Sequence, residues 1–270
     1  MDLMQAIILG AVQGVTEYLP VSSSAHLVLV PLLLDWHFPR EQAFVFDVLV
    51  QLGTLVGVVI YFASDLWKIG THMWLGLIKR KPLASLEARL GWLVILATIP
   101  AAIAGICLKK YVQAYFESPR AVMFFLLVTA GLLILAEFFG KQKRSEVKTK
   151  DALAMGFMQV VALLPGISRS GSTITAGVLS GLSKEAAARF SFLMSIPIMI
   201  GASLVAGKDL LDSTADFSQM FWPILVGMAT SAVTGYFVIR WFLGFLKTQS
   251  LLWFALYCAI VGGFGLIFYG

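Results

Sequence analysis

Six apolar runs, each about twenty residues long and so long enough to cross a bilayer's hydrocarbon core, leave this chain few folds to choose from. They are Ala43–Ser64, Leu90–Leu108, Pro119–Phe139, Ala186–Ala206, Met220–Phe242 and Ser250–Tyr269. Lipid offers no partner to a bare backbone N–H or C=O, so each run has to satisfy its own groups as a helix. Aromatic rings belong at the lipid–water boundary, and Trp222 and Trp241 bracket the fifth run. Roughly 19 rises of about 1.5 Å separate them, about 28 Å and close to one hydrocarbon thickness. Composition agrees: 59% of residues are hydrophobic and 13% charged, against about a quarter charged in soluble domains. The outside of this protein is apolar too. The net charge of +5 sits in short loops between the runs, which excludes nucleic acid as the partner. Cys107 and Cys258 both lie inside apolar runs, so neither a disulfide nor a metal site is inferred from them. The first basic residue is Arg40, so no positive segment precedes the first apolar stretch and no cleavable signal peptide is expected.

Two further stretches, Leu3–Leu34 and Ala152–Leu182, are apolar but carry Pro, Gly and a serine cluster at their centres. A non-helical break at membrane depth survives only where protein or a wet cavity covers it. Both therefore read as re-entrant helical hairpins, spanning 3–34 and 152–182. They also resemble each other. "LGAVQGVTEYLPVSSSAH" and "MGFMQVVALLPGISRSGS" align Gly10 with Gly156, Gln13 with Gln159, Val15 with Val161, Leu19 with Leu164, Pro20 with Pro165 and Ser23 with Ser168. A weaker echo joins "FDVLVQLG" from Phe46 to "FSFLMSIP" from Phe190. The expected fold is an all-α polytopic integral membrane protein of two repeats in one integrated domain. The first covers 1–140, with spans at about 43–64, 90–108 and 119–139. The second covers 151–270, with spans at about 186–206, 220–242 and 250–269. The polar linker "KQKRSEVKTK", 141–150, joins them.

Loop charge sets the orientation, because Lys and Arg favour the cytoplasm. The loop Asp65–Arg89 carries Lys68, Lys79, Arg80, Lys81 and Arg89, and the linker carries Lys141, Lys143, Arg144, Lys148 and Lys150. Two spans separate these basic segments, which puts both on one face. The acidic loop Lys208–Gln219, with Asp209, Asp212 and Asp216, then falls outside. Each repeat has three spans and one hairpin, so the second is inverted relative to the first. The hairpins enter from opposite faces and meet near the midplane, where repeat-built membrane proteins place their sites.

The polar chemistry is concentrated in the two hairpins. In the first, Gln13 and Glu17 share a helix face, Pro20 breaks the helix, and Ser22 or Ser23 can cap the next one. His26 follows Ser23 by three and Ser22 by four, so a hydroxyl and an imidazole can meet on the new helix's first turn. That supplies a candidate nucleophile, a candidate base and a helix N-terminus that attracts anions. The plain alternative is a kink made by Ser and Pro with Glu17 at a headgroup interface, and Ser24 alone would mean little. Ionisable groups at membrane depth default to function, however. In the second hairpin, "LPGISRSGST", Pro165 and Gly166 break the chain, and Ser168, Ser170 or Thr173 can cap its second helix. Arg169, beside a helix N-terminus and among glycines, suits phosphate oxygens. Its plain alternative is an ion pair with Glu17 that holds the hairpins together, though buried structural pairs add little net stability; both can hold in turn. Asp47 and Gln51 are four apart on the first full span and can line the same cavity. Thr54 and Ser195 are expected to bond backbone, Glu137 to be interfacial, and His37 and His72 to lie in loops.

"QGVTEYLPVSSSAH" and "PGISRSGST" resemble the two motifs of the bacterial undecaprenyl-diphosphatases, the bacitracin-resistance (BacA/UppP) type, and "FDVLVQLGTL" and "FSFLMSIP" extend the likeness over nearly the whole chain. The resemblance implies a hydrolase in the bacterial cytoplasmic (inner) membrane that converts undecaprenyl diphosphate to undecaprenyl phosphate and phosphate. That reaction recycles the lipid carrier of peptidoglycan synthesis, with consequences for cell-wall biogenesis, cell shape and antibiotic resistance to bacitracin. It implies a divalent cation, Mg²⁺ or Ca²⁺, and a site opening to the periplasmic, outer side. Glu17, Ser22, Ser23, His26, Ser168, Arg169, Ser170 and Thr173 match its functional motif positions. Among them Glu17, Ser23, His26 and Arg169 are the expected catalytic residues, and Ser22, Ser168, Arg169, Ser170 and Thr173, with Gln51, the expected substrate-binding set. Glu17 and Gln13 are the expected metal ligands; Gln13 falls where many members have Glu, and an amide brings no charge. Partners are the polyprenyl diphosphate and membrane lipid, with a homodimer left open. The rival class is a polyprenyl-phosphate transporter or flippase on the same inverted repeats, for which an activated hydroxyl is superfluous.

Overall fold

The computed structural model describes residues 1–116, 118–141, 143–211 and 220–269. Among them the chain forms eleven α-helices and no β-strand: α1 (Leu3–Thr16), α2 (Ser23–Leu33), α3 (Arg40–Tyr61), α4 (Ala63–Ile78), α5 (Leu86–Phe116), α6 (Pro119–Phe139), α7 (Thr149–Val161), α8 (Arg169–Leu179), α9 (Lys184–Leu211), α10 (Phe221–Phe245) and α11 (Leu252–Tyr269). The protein is a multi-pass membrane protein. Five helices carry stretches long and apolar enough to cross a bilayer: Gln42–Tyr61, Leu86–Leu108, Pro119–Phe139, Lys184–Val205 and Phe221–Phe245. The sixth expected span is α11, whose 18 residues reach about 27 Å, slightly short of the others. Side chains of the acidic loop Lys208–Gln219 lie outside the described residues.

One segment differs from its sequence reading. The stretch expected as the loop Asp65–Arg89 begins with α4, a 16-residue helix that also holds His72. Ile69 and Met73 lie against Gly91 of α5, while Trp67 and Trp74, seven residues apart, are 79% and 66% exposed. A helix with an apolar inner face, outward tryptophans and lysines at its end is the kind that lies along a membrane surface. The surrounding charges hid its period.

The two hairpins enter from opposite ends of the bundle. At the first end, Ala6 and Leu9 of α1 pack with Phe46 and Val50 of α3 and Met220, and Trp36 and Phe38 lie beside them. At the second end, Arg144 donates to both Asp151 carboxylate oxygens, at 2.9 and 3.0 Å, and to the Ser180 carbonyl at 2.8 Å, fastening the base of α7–α8. There too Arg189 of α9 donates to Asp65 at 2.8 Å. Lys184 Nζ lies 2.8 Å from the Glu137 carboxylate, which also accepts from the Leu251 N–H at 3.0 Å. The interfacial Glu137 thus ties α9 and α11 to α6. Helix α3 runs from the first end to the second, whereas α9 starts at the second.

Packing partners are exchanged between the halves. Helix α1 packs on α10, and α7 on α5. A Cβ at Gly10 would lie 2.5 Å from the Gly227 carbonyl oxygen, and one at Gly156 would lie 2.5 Å from that of Ala97. The same close approach thus recurs at two positions that the sequence alignment pairs. Each half contributes the wall against which the other's hairpin stands.

The base of the second hairpin gives a test. Burial pushes the Asp151 carboxyl up, but the Arg144 guanidinium and the Lys148 N–H bonded to it, with Lys150 nearby, hold it below the usual carboxylate value. A lowered folded-state value means the contribution is present above the ordinary carboxylate range and lost as pH falls through that lowered value. Asp151→Asn is expected to destabilise the protein by about 3 kcal/mol at neutral pH and to lose that deficit relative to wild type in strong acid. Thermal melts of both proteins across pH check it.

Candidate active site

The first elbow follows α1. Glu17 closes α1 with its N–H on the Gln13 carbonyl, and Pro20 then prevents the helix from continuing through the turn. Ser22 has φ +66° and ψ 100°, a conformation that costs a non-glycine residue about 1–3 kcal/mol and concentrates at functional sites. Its Oγ accepts from the Ala25 N–H at 3.4 Å, so α2 starts at Ser23. The second elbow follows α7. Gly166 takes φ +96°, and Ser168 Oγ accepts from the Gly171 N–H at 3.1 Å, capping α8. Thr129 of α6 braces this elbow by accepting from the Ser168 N–H at 3.0 Å and donating to the Gly166 carbonyl at 3.1 Å.

The elbows touch at three places. Arg169 Nη2 donates to Glu17 Oε1 at 3.0 Å. Ser170 Oγ donates to the Leu19 carbonyl at 2.8 Å, and the Gly166 N–H donates to Ser24 Oγ at 3.2 Å. Around the ion pair the hydroxyls are ordered. Glu17 Oε2 accepts from Ser23 Oγ at 2.7 Å and from Gln13 Nε2 at 3.0 Å. Arg169 Nη1 reaches the Ser191 carbonyl at 3.4 Å, and Thr173 Oγ1 lies 2.7 Å from Ser191 Oγ. Ser168 and Ser170 hydroxyls are 3.1 Å apart, as are those of Ser22 and Ser24. Gln13, Glu17, Ser22, His26, Ser168, Ser170 and Thr173 are all buried. A cation and an anion this well enclosed face each other across a nest of hydroxyls, where charge interactions are strong.

One expectation needs correction. The hydroxyl–imidazole meeting foreseen on the first turn of α2 does not occur, because the Ser23 hydroxyl donates its hydrogen bond to Glu17. His26 instead puts Nδ1 2.8 Å from the Ser22 carbonyl and Nε2 2.7 Å from the Tyr257 hydroxyl. A helical side chain leans back toward the preceding turn, which carries Nδ1 onto the carbonyl four residues earlier. Gln51 is half-buried, and no hydrogen bond joins its side chain to either hairpin among the described residues. With Asp47 it lies on the α3 face that also carries Thr54, whose carbonyl accepts from Tyr18 of the first elbow at 2.7 Å. Thr54 and Ser195 bond backbone as expected. The sequence reading missed Thr129, Ser191 and Tyr257; each lies within a mostly apolar span, and local spacing does not reveal its partner.

Charge is divided unequally between the paired elbows. Gln13 is followed four residues on by Glu17, but its counterpart Gln159 is followed by Leu163. Gln159 is buried with both amide atoms unbonded in the described structure. For a divalent cation, the described residues hold no group of three or more His, Cys, Asp or Glu side chains. Glu17 and the Gln13 amide oxygen are nevertheless hard oxygen donors. A single carboxylate suits Mg²⁺, which binds chiefly through substrate phosphates and water, so the donor set fits a cation brought in with a diphosphate.

The family described as "Bacitracin resistance protein BacA" matches residues 6–264. Proteins named "Undecaprenyl-diphosphatase" are similar over almost the full length. That of Geotalea daltonii is 42% identical over 273 residues, covering 99% of this chain and 98% of its own. That of Pelobacter propionicus is 42% identical, covering 97% and 96%. That of Myxococcus xanthus is 39% identical, covering 97% and 87%.

Proposed function

The chain belongs to the bacitracin resistance protein BacA family, and from that premise we infer that it is an undecaprenyl-diphosphatase. It hydrolyses undecaprenyl diphosphate to undecaprenyl phosphate and inorganic phosphate, returning the carrier lipid to cell-wall synthesis. The observation that carries the reading is the Glu17–Arg169 pair at the meeting of two serine-rich elbows, enclosed within an apolar bundle. The relatives' hydrolase names speak for chemistry and not for transport.

A diphosphate brings about three negative charges into a low-dielectric site, so catalysis is mostly positioning and charge neutralisation. Arg169 turns from Glu17 to the phosphate oxygens, and the N-termini of α2 and α8 add their free N–H groups. Ser23 Oγ attacks the terminal phosphorus, the bridging oxygen leaves with undecaprenyl phosphate, and water then cleaves the phosphoserine. Glu17, already accepting from Ser23 at 2.7 Å, takes the hydroxyl proton as Oγ attacks, and returns it when the phosphoserine is cleaved. His26 takes the proton of the water that cleaves the phosphoserine, while undecaprenyl phosphate leaves as the anion. Glu17 and the Gln13 amide oxygen would hold a Mg²⁺ or Ca²⁺ arriving with the substrate, and such a cation would supply neutralisation of phosphate charge. Ser22, Ser168, Ser170 and Thr173 fix the elbows and offer hydroxyls to the head group. The tail stays in lipid, where extraction would forfeit about 0.8 kcal/mol per CH₂.

The strongly basic second end supports its assignment to the cytoplasmic side of the inner membrane. The site then opens periplasmically, past the half-buried Asp47 and Gln51. Purified protein given a prenyl diphosphate with Mg²⁺ or Ca²⁺ is expected to release phosphate, to stop on chelation and to recover when the cation is restored. Binding without release would overturn the reading. Rapid acid quench with a terminally labelled substrate is expected to trap phosphate on Ser23 and none on Ser23→Ala; single turnover without an adduct would show that water attacks directly.

A further inference from the structure

The His26–Tyr257 contact joins the first hairpin to the last helix, 231 residues away. A backbone carbonyl only accepts hydrogen bonds, so the 2.8 Å contact between Nδ1 and the Ser22 carbonyl puts the hydrogen of neutral His26 on Nδ1. Nε2 is then the one basic position of the ring, and the Tyr257 O–H, 2.7 Å away, donates to it. The two rings lie nearly parallel, 7° apart in plane. The neighbouring Cys258 Sγ reaches the Pro20 carbonyl at 3.6 Å, so two consecutive residues of α11 fasten on the first elbow. His26 is 5% exposed and Tyr257 43% exposed. Tyr257 therefore stands between the buried imidazole and the outside of the bundle.

We propose that Tyr257 is a positioning residue for His26, holding in place the ring that the Ser22 carbonyl sets as the Nδ1–H tautomer and partnering Nε2 through the proton cycle. The inference rests on the phosphatase reading for its kinetic consequence but not for its structural one. A phenol both donates and accepts. It donates to Nε2 while the imidazole is neutral and, by rotating its O–H, accepts from Nε2–H once the ring has taken a proton. The imidazole thus keeps one orientation in both states. A phenylalanine preserves the ring packing and does neither.

Tyr257→Phe tests this. The chain has three histidines, so replacing His37 and His72 with Gln leaves one imidazole to read by nitrogen solid-state NMR in lipid. The expected wild-type spectrum shows a protonated Nδ1 and a hydrogen-bonded, imine-type Nε2. In Tyr257→Phe the Nε2 signal is expected to move to that of an unbonded imine, with Nδ1 still protonated against the Ser22 carbonyl. Kinetically, kcat is expected to fall about tenfold, less than the roughly 10²–10⁴-fold of a group that itself transfers the proton, with KM within about twofold of wild type. On a His26→Gln background the same substitution is expected to cause no further loss, because its effect passes through the imidazole. An unmoved Nε2 signal, or a further loss in the double variant, would overturn the proposal. A wild-type protein that releases no phosphate would instead overturn the phosphatase reading, while the spectrum would still report the tautomer.

Discussion

Arg169→Ala is expected to lower kcat/KM for a prenyl diphosphate by on the order of 10³-fold, the lower range for an arginine that stabilises a transferring phosphoryl group. Arg169 is the one cation bonded within the two elbows among the described residues, and its Nη2 already lies 3.0 Å from Glu17. Arg169→Lys keeps the charge but loses the planar fork that grips two phosphate oxygens, so partial recovery is expected. Removing the guanidinium also strands a buried carboxylate, which destabilises a fold on its own account. The double variant Glu17→Gln/Arg169→Ala separates the two effects. Its melting temperature should recover relative to Arg169→Ala, while phosphate release stays lost. Release restored in the double variant would show that the pair is structural only.

Gly166→Ala is expected to destabilise the protein by about 2–4 kcal/mol, left-handed strain adding to a steric clash. Gly166 has φ +96°, and a Cβ there would run into the Val122 carbonyl oxygen of α6. The clash cannot relax without moving the Gly166 N–H off Ser24 and the Gly166 carbonyl off Thr129. Phosphate release should therefore fall with stability, because the elbow that carries Arg169 is displaced. Gly131→Ala on α6 is the control, since a Cβ there meets nothing within 4 Å. Thermal melts and phosphate release of the two variants decide it; equal behaviour would show that the second elbow tolerates rearrangement.

Much of this architecture was legible because lipid enforces simple rules. A run of apolar residues has to be a helix, so α6 coincides with its run at both ends, Pro119 and Phe139. A Pro–Gly or Pro–Ser break inside an apolar stretch has to be sheltered, so both hairpins followed from their positions, whereas the structure was needed to choose Ser22 over Ser23 and Ser168 over Ser170 and Thr173 as the caps. The hidden features were long-range or obscured by charge. The inner face of α4 is spread among Asp65, Lys68 and two tryptophans, and basic residues follow it, so its stretch read as a loop. Ser23 and His26 are correctly spaced to meet, but Glu17, folded back across the elbow, accepts the serine's hydrogen bond instead. Tyr257 and Ser191 reach the site from α11 and α9, and their spacing along those helices carries no sign of a partner. The unequal elbows were visible, since Glu17 and His26 lie on one and Arg169 on the other. That they complete each other became clear only with the fold.

The most direct measurement is an experimental structure with a non-hydrolysable prenyl methylenediphosphonate bound. The expected result places its phosphonate oxygens within about 3 Å of the Arg169 guanidinium and the Ser23 hydroxyl, between the two elbows, with the Glu17–Arg169 contact opened. A head group seated elsewhere would contradict it, for example in the cleft of about 530 Å³ that Asp65, Lys68 and Arg189 line at the opposite end.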